Sequence, residues 1–296
     1  MRCGCARLRT GCGATAHHFL TGKMDLNQAL EMVSRTDAGM VRSHNEDAVL
    51  VNPALGLAVI ADGMGGYNAG EVASSMATTL LGTELEKSFT RLAPYMQDAD
   101  GKLHAHSAFE AEIARANTSI YQAAQSQPQY AGMGTTLVAA LFYDNSLTVA
   151  HIGDSRLYRY RGEQLQAVTR DHSLLQEQID SGMITPEEAR HSQNRNLVTR
   201  ALGVDPVVEP EIRDYDTLPG DIYLLCSDGL NDMVEDDEIA LTFQTLMPNL
   251  ELAANQLIQM ANDNGGRDNV SVVLVRVAHA YPAPRGLMAK IKAWLR

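Results

Sequence analysis

Between Thr135 and Thr169 the chain leaves no room for a helix. The runs "TTLVAALFY", "LTVAHIG", "SRLYRY" and "LQAVT" follow one another with only "DNS", Asp154, or "RGE" and Gln164 between them. Parallel neighbours need a crossover of about a dozen residues or more, so runs this close pair antiparallel, as hairpins. A doubly wound βαβ fold is thereby disfavoured.

Helical periods appear elsewhere. Val72, Met76 and Leu80 recur every four residues, and Phe109, Ile113, Ala116 and Ile120 at spacings of three and four, which predicts two amphipathic helices. "LELAANQLIQMAND" predicts a third. Thr185, Pro186 and Glu188 spell the start of another: an N-cap, a proline at the first helical position and the glutamate of a capping box. "DIYLLCS" and "VSVVLVRV" read as buried strands, and short β-like runs fill the stretch from Leu30 to Gly63. Blocks of strands separated by pairs of helices predict an α+β layered fold.

One domain is expected over residues 24–280. Residues 1–23 carry Arg2, Arg7, Arg9 and Lys23, no acid, three of the four cysteines and no apolar period. They are expected to be a disordered or non-native extension, with Met24 a candidate for the natural start. Residues 281–296 are expected to be a short basic amphipathic tail, with Leu287, Met288, Ile291, Trp294 and Leu295 on one face, able to pack on the domain or to touch an anionic membrane surface. No apolar run approaches the ~20 residues that cross a bilayer, so a cytoplasmic protein is expected. No CxxC pair occurs, which predicts reduced thiols.

Acids punctuate the strands. Asp62 follows "LAVIA", Asp228 follows "IYLLCS", Asp268 precedes "NVSVVLVRV", and Asp154 sits in "HIGDSR", each beside glycine, asparagine or serine. A carboxylate beside a buried strand is unfavourable unless paired, and like charges brought together need neutralising. A lone Asp-Gly usually just makes a turn. Four such sites in one chain point instead to cations, and an all-oxygen donor set suits magnesium, manganese or calcium rather than zinc. Two such ions sharing a carboxylate activate water and steady an in-line displacement at phosphorus, with Asp62 as the expected bridge. A P-loop, a GxSxG elbow and an HExxH helix are all absent. A net charge of -12 argues against nucleic acid as a partner.

Seven strings, "TDAGMVRSHNED", "ADGMGGYNAGEVAS", "GMGTTLVAAL", "HIGDSRLYR", "TRDHSLL", "LLCSDGLNDMV" and "GGRDNVSVVLV", resemble in content and order those of the PP2C (PPM) metal-dependent protein Ser/Thr phosphatases in their compact bacterial form. The resemblance implies a four-layer α-β-β-α sandwich of two mainly antiparallel sheets flanked by helices, and a centre of two Mn2+ or Mg2+ ions. It implies Asp62 as bridging ligand, the carbonyl of Gly63 as a second contact, and Asp228 and Asp268 as the other principal carboxylates. Glu46 and Asp47 match acids that act mainly through water on the metals, Asp154 and Asp232 a weaker third-ion site, and Arg42 the phosphate clamp. A guanidinium fork suits phosphate oxygens. Met64 stands where animal members carry a histidine thought to protonate the leaving oxygen; a metal-bound water, His44 and His172 are the alternatives. Residues from about Leu174 to Val198, including Arg190, His191 and Arg195, match a variable flap beside the active site.

The implied function is hydrolysis of phosphoserine and phosphothreonine in phosphoproteins by a monomer, Asp62 and Arg42 carrying the chemistry, with a Ser/Thr kinase or its targets as partners. The competing readings are a noncatalytic phosphoprotein-binding module, against which the complete ligand set argues, and a metal-dependent nuclease, against which the acidic balance argues.

Overall fold

The structure, a computed structural model, describes residues 26–66, 68–185, 188, 189, 192 and 197–283. The expectations for residues 1–23, for residues 284–296 and for Arg190, His191 and Arg195 lie outside the described residues.

A short helix α1 (Leu26–Ala29) leads into β1 (Leu30–Asp37), β2 (Asp47–Asn52) and β3 (Leu57–Met64). Two long helices follow, α2 (Ala69–Arg91) and α3 (His104–Ser126). Then come β4 (Gly134–Thr135), β5 (Leu137–Tyr143), β6 (Ser146–Ile152), β7 (Arg156–Arg161) and β8 (Gln164–Ala167). The helix α4 (Leu174–Asp180) opens the segment that precedes β9 (Glu211–Asp216) and β10 (Ile222–Cys226). Helices α5 (Asp228–Asn231), α6 (Asp236–Leu246) and α7 (Leu250–Asp263) lead to β11 (Val270–Val277).

Two of the expected hairpins form, β5–β6 and β7–β8, but β6 and β7, read as neighbours, lie in different sheets because the chain crosses from one sheet to the other at Asp154. Asp144 and Asn145 (φ 47° and 56°) turn β5 into β6, and Gly162 and Glu163 (φ 57° and 64°) turn β7 into β8. Two successive positive φ values make the tight turn whose twist matches that of paired strands. Every pairing is antiparallel. One sheet runs β1-β11-β10-β7-β8; the other runs β2-β3-β5-β6-β9, with β4 attached to β3.

Three apolar layers result. Ile60, Val138, Phe142 and Val149 from one sheet meet Leu157, Tyr223, Leu225 and Val273 from the other, with Phe142 and Tyr223 edge to face at 5.3 Å. Helices α2 and α3 cover the outer face of the β2–β9 sheet, and α6 and α7 that of the β1–β8 sheet. This is the four-layer sandwich. Tyr281, within the expected tail, is buried in the inter-sheet layer, its hydroxyl 2.5 Å from Thr217 Oγ1.

One periodic reading needs correction. The face of α2 that is fully buried is Ala73, Ala77, Leu81 and Leu85, while Val72, Met76 and Leu80 are half-buried beside a shallow groove. Over its first turns the helix meets the sheet through small residues, Ala69, Gly70, Ala73 and Ala77, and large ones enter the buried face only at Leu81 and Leu85. At Gly82 a methyl group would come within 2.5 Å of Leu50 Cδ1. The α3 face is as read, with Phe109, Ile113, Ala116 and Ile120 all buried.

Candidate functional site

The acids collect at one edge of the sandwich because strands from both sheets end there. Asp47 and Asp62 are directly opposed across the β2–β3 ladder, so their side chains share a face. Asp228 is the first residue of α5, just past the end of β10, and Asp268 lies in the loop that enters β11. Asp154 occupies the β6–β7 turn and is only 7% exposed, and Asp232 follows α5, its N–H donating to the Asp228 carbonyl at 2.8 Å.

The charges act on one another. Burial, then the negative charges of Asp47, Asp228, Asp154 and Asp268, raise the Asp62 carboxyl well above its ordinary value. Burial, with Asp154, Asp232, Asp268 and Asp47, does the same to Asp228. Asp47 and Asp154 are each pushed up to about 6, burial again being the main cause. Glu46 is raised by burial against the opposing pull of Arg42. As the side chains stand, no three His, Cys, Asp or Glu among the described residues are close enough to enclose an ion. They are near enough to feel each other's charge, and Asp268 is drawn to Arg42 instead, Nη2 to Oδ2 at 2.7 Å.

Polar support surrounds this edge. Asp47 Oδ2 accepts from Ser227 Oγ at 2.8 Å, while Oδ1 is buried with no hydrogen-bond partner among the described residues. A buried oxygen without a donor is uncommon in a native fold and asks for a ligand or an ordered water. The Asp62 carbonyl accepts from Thr136 N–H and Thr135 Oγ1, and the Asp62 N–H donates to Thr136 Oγ1. Gly63 is wedged: an added Cβ would meet the Gly70 carbonyl at 2.1 Å and the Glu46 carbonyl at 2.6 Å. A residue with any side chain at that point would force β3 and the start of α2 apart.

Arg42 is half-exposed at the rim, with its guanidinium on Asp268. Between Asp154 and α4 lies a cleft of about 280 Å³ lined by Asp154, Arg156, Asp171, Ser173, Asp228 and Asp232 among others. Arg156 holds Asp171 through both carboxylate oxygens, at 2.7 to 3.1 Å. The capping box read at Thr185 forms: Thr185 and Glu188 exchange N–H to side-chain oxygen bonds at 2.8 and 3.2 Å.

The two histidine alternatives fare differently. His172 is buried, its Nδ1 accepting from Gly153 N–H at 3.2 Å and its ring 4.6 Å from that of His151, so it braces the fold. His44 is exposed, and its carbonyl accepts from Asn269 Nδ2. Met64 closes β3 opposite Gly134.

Asn269 was not singled out in the sequence and organises the edge. Its side chain accepts from Glu46 N–H at 2.7 Å and donates to the carbonyls of Ala38 and His44 at 3.0 and 2.8 Å. The loop that carries Arg42 and Glu46 is thereby fixed to the strand that follows Asp268. The only sequence signal was an amide beside the last acid, and its partners are more than two hundred positions away.

An antiparallel α-β-β-α sandwich with its acids gathered at one edge is the framework of a known family, and the sequence agrees. The sequence pattern of Protein phosphatase 2C matches residues 40–262. The chain belongs to the protein phosphatase 2C family. It is 39% identical over 248 residues to the serine/threonine protein phosphatase PstP of Mycobacterium tuberculosis, a match covering 84% of this chain and 45% of PstP. The chain thus spans under half the length of that relative. The protein phosphatase PhpP of Streptococcus pneumoniae is 37% identical over 249 residues, covering 83% of this chain and 97% of PhpP. The crystal structure of the PstP catalytic domain in complex with two manganese ions superposes with a TM-score of 0.73 at 38% identity, covering 84% of this chain and 99% of that one.

Proposed function

We propose that the protein is a Mn2+- or Mg2+-dependent phosphatase that hydrolyses phosphoserine and phosphothreonine in phosphoproteins. The observation that carries this is the meeting of Asp47, Asp62, Asp228 and Asp268 at one edge, with a buried Asp47 oxygen unpartnered among the described residues and Arg42 as the neighbouring cation. An all-oxygen set with that surplus of negative charge fits hard divalent ions. Asp62 would be shared between two of them, with the Gly63 carbonyl, Asp228 and Asp268 completing the pair, Glu46 and Asp47 reaching them through water, and Asp154 with Asp232 offering a weaker third position. When bound, such ions supply the charge compensation and the acidity that make water a nucleophile at neutral pH.

The chain's own residues do the rest. Arg42 grips the non-bridging phosphate oxygens with its planar fork and aligns the phosphorus for in-line attack. Its partnership with Asp268 keeps the fork beside the carboxylate edge until phosphate arrives. Met64 has no proton to give, so the leaving serine or threonine oxygen takes its proton from another source. The relatives' description as serine/threonine protein phosphatases supports phosphoproteins as substrates, and by the same analogy a Ser/Thr kinase or its targets as partners. Among the described residues no helix is long and apolar enough to cross a membrane. A cytoplasmic monomer is the working assignment.

The test pairs calorimetric manganese titration with turnover of a phosphothreonine peptide, using single-stranded DNA as the competing substrate. Asp228→Asn and Asp268→Asn should keep the fold, weaken manganese binding and lower turnover more than ~100-fold, beyond the loss typical of outer-shell partners. Arg42→Ala should keep manganese and lose turnover by ~10²–10³-fold, the scale of a removed transition-state donor. Wild-type binding and turnover in both Asp variants would sink the assignment.

A further inference from the structure

The loop that delivers Arg42 also displays two apolar side chains to solvent. Met40 is 70% exposed and Val41 is 68% exposed. A single exposed apolar residue is ordinary. Two in succession on a fixed backbone, immediately before the candidate phosphate clamp, are not.

The backbone here is held from both sides. Met40 N–H and Val41 N–H both donate to the Gly266 carbonyl, at 2.8 and 3.2 Å. Gly39 turns at φ 75° where an added Cβ would come within 2.3 Å of the Asp268 carbonyl, and Gly266 turns at φ 50° directly beneath Met40. Asn269 secures the next stretch of the loop through Ala38, His44 and Glu46. The loop therefore cannot fold its two apolar side chains inward without giving up the bonds that position Arg42.

The position also selects the occupant. Consecutive Cα atoms are about 3.8 Å apart, so Met40 lies at most ~7.6 Å from Arg42, Cα to Cα. An extended peptide advances about 3.3 Å per residue. A substrate whose phosphate is on Arg42 therefore has residues a few places from its phosphoserine or phosphothreonine within reach of Met40 and Val41. Extended peptides gain affinity along the backbone and specificity from such side-chain contacts. Resting on the phosphatase reading above, we propose that Met40 and Val41 form a docking surface for an apolar side chain flanking the phosphorylated residue, and so set substrate preference.

The test uses the full chain in manganese with three substrates: p-nitrophenyl phosphate, which has no flanking residues, and two phosphothreonine peptides that differ only in leucine or serine at the flanking positions. Wild type should favour the leucine peptide by ~10-fold in kcat/KM, mostly through KM, the scale of a small apolar contact. Met40→Ser/Val41→Ser should erase that preference, leave aryl phosphate turnover within twofold, and melt as wild type does. Equal use of the two peptides by wild type, or an undiminished preference in the double variant, overturns the docking surface alone. No turnover of the aryl phosphate by wild type overturns the phosphatase reading, and the docking proposal with it.

Discussion

The layer between the two sheets and the edge where the acids meet are built from the same strands. β3 sends Ile60 into the inter-sheet layer and, two residues later, Asp62 into the carboxylate cluster; β10 supplies Tyr223 and Leu225 and then runs into Asp228. The first region is complete in itself: apolar side chains from both sheets interlock, and the ladders satisfy the backbone. The second is incomplete, with carboxylates that raise one another's protonation tendency and one oxygen with no donor among the described residues. What separates them is compensation, not burial. One strand can serve stability along most of its length and chemistry at its tip because the fold's own apolar contacts carry the tip's electrostatic cost.

That contrast can be broken at the core first. Leu225→Ala should lower unfolding stability by about 2–5 kcal/mol, read in urea, while the folded fraction binds manganese as wild type does. A proportional loss of manganese affinity would show that the two regions are not separable. The edge gives the next effect. Manganese at a hundred times its Kd should stabilise the wild type by about 2.7 kcal/mol, seen as a higher melting temperature. Asp62→Asn should lose most of that gain and, without manganese, melt no lower than wild type, since one of the crowding charges is gone.

A buried base sharpens the comparison through its pH dependence. His151 is 2% exposed, and burial, then His172, depress its value to about 3. It stays neutral in the fold while the unfolded chain protonates near 6.5, so its contribution to stability falls as pH drops from about 6.5 toward 3, by at most about 1.4 kcal/mol per unit. The crowded carboxylates respond with the opposite sign, because the folded chain takes up their protons at higher pH than the unfolded one. His151→Asn isolates the two. Denaturation from pH 7 to 4 should show wild type losing ground against the variant; parallel curves would remove His151 from the account.

What was legible in the sequence followed from local pattern. The β5–β6 and β7–β8 hairpins were legible from spacing and from Asp144-Asn145 and Gly162-Glu163, whereas the same close spacing hid the crossing between sheets at Asp154; α7 was legible from its period and α3 from its apolar face. The acids stood out because each sat beside a small residue at a strand end. The charged edge strand β9, "EIRDYD", was invisible because both of its faces are partly solvated and carry no alternation. The buried face of α2 was misjudged because its first turns meet the sheet through small residues, which a search for large apolar ones passes over. Asn269 was missed because its meaning lies in carbonyls and amides of a loop near the other end of the domain.

The place of β11 has a consequence for how the molecule comes into being. It is the last strand among the described residues, yet it lies inside its sheet, paired with β1 on one side and β10 on the other. Its entry loop brings Asp268 and Asn269. A nascent chain leaving the ribosome therefore holds β1 unpaired until β11 has been made, and contacts this distant in sequence form late and slowly. When β11 finally threads between its neighbours, sheet closure, the anchoring of the Arg42 loop and delivery of the last carboxylate happen in one event. A chain made only as far as β10 lacks Asp268, Asn269 and the strand that pairs with β1.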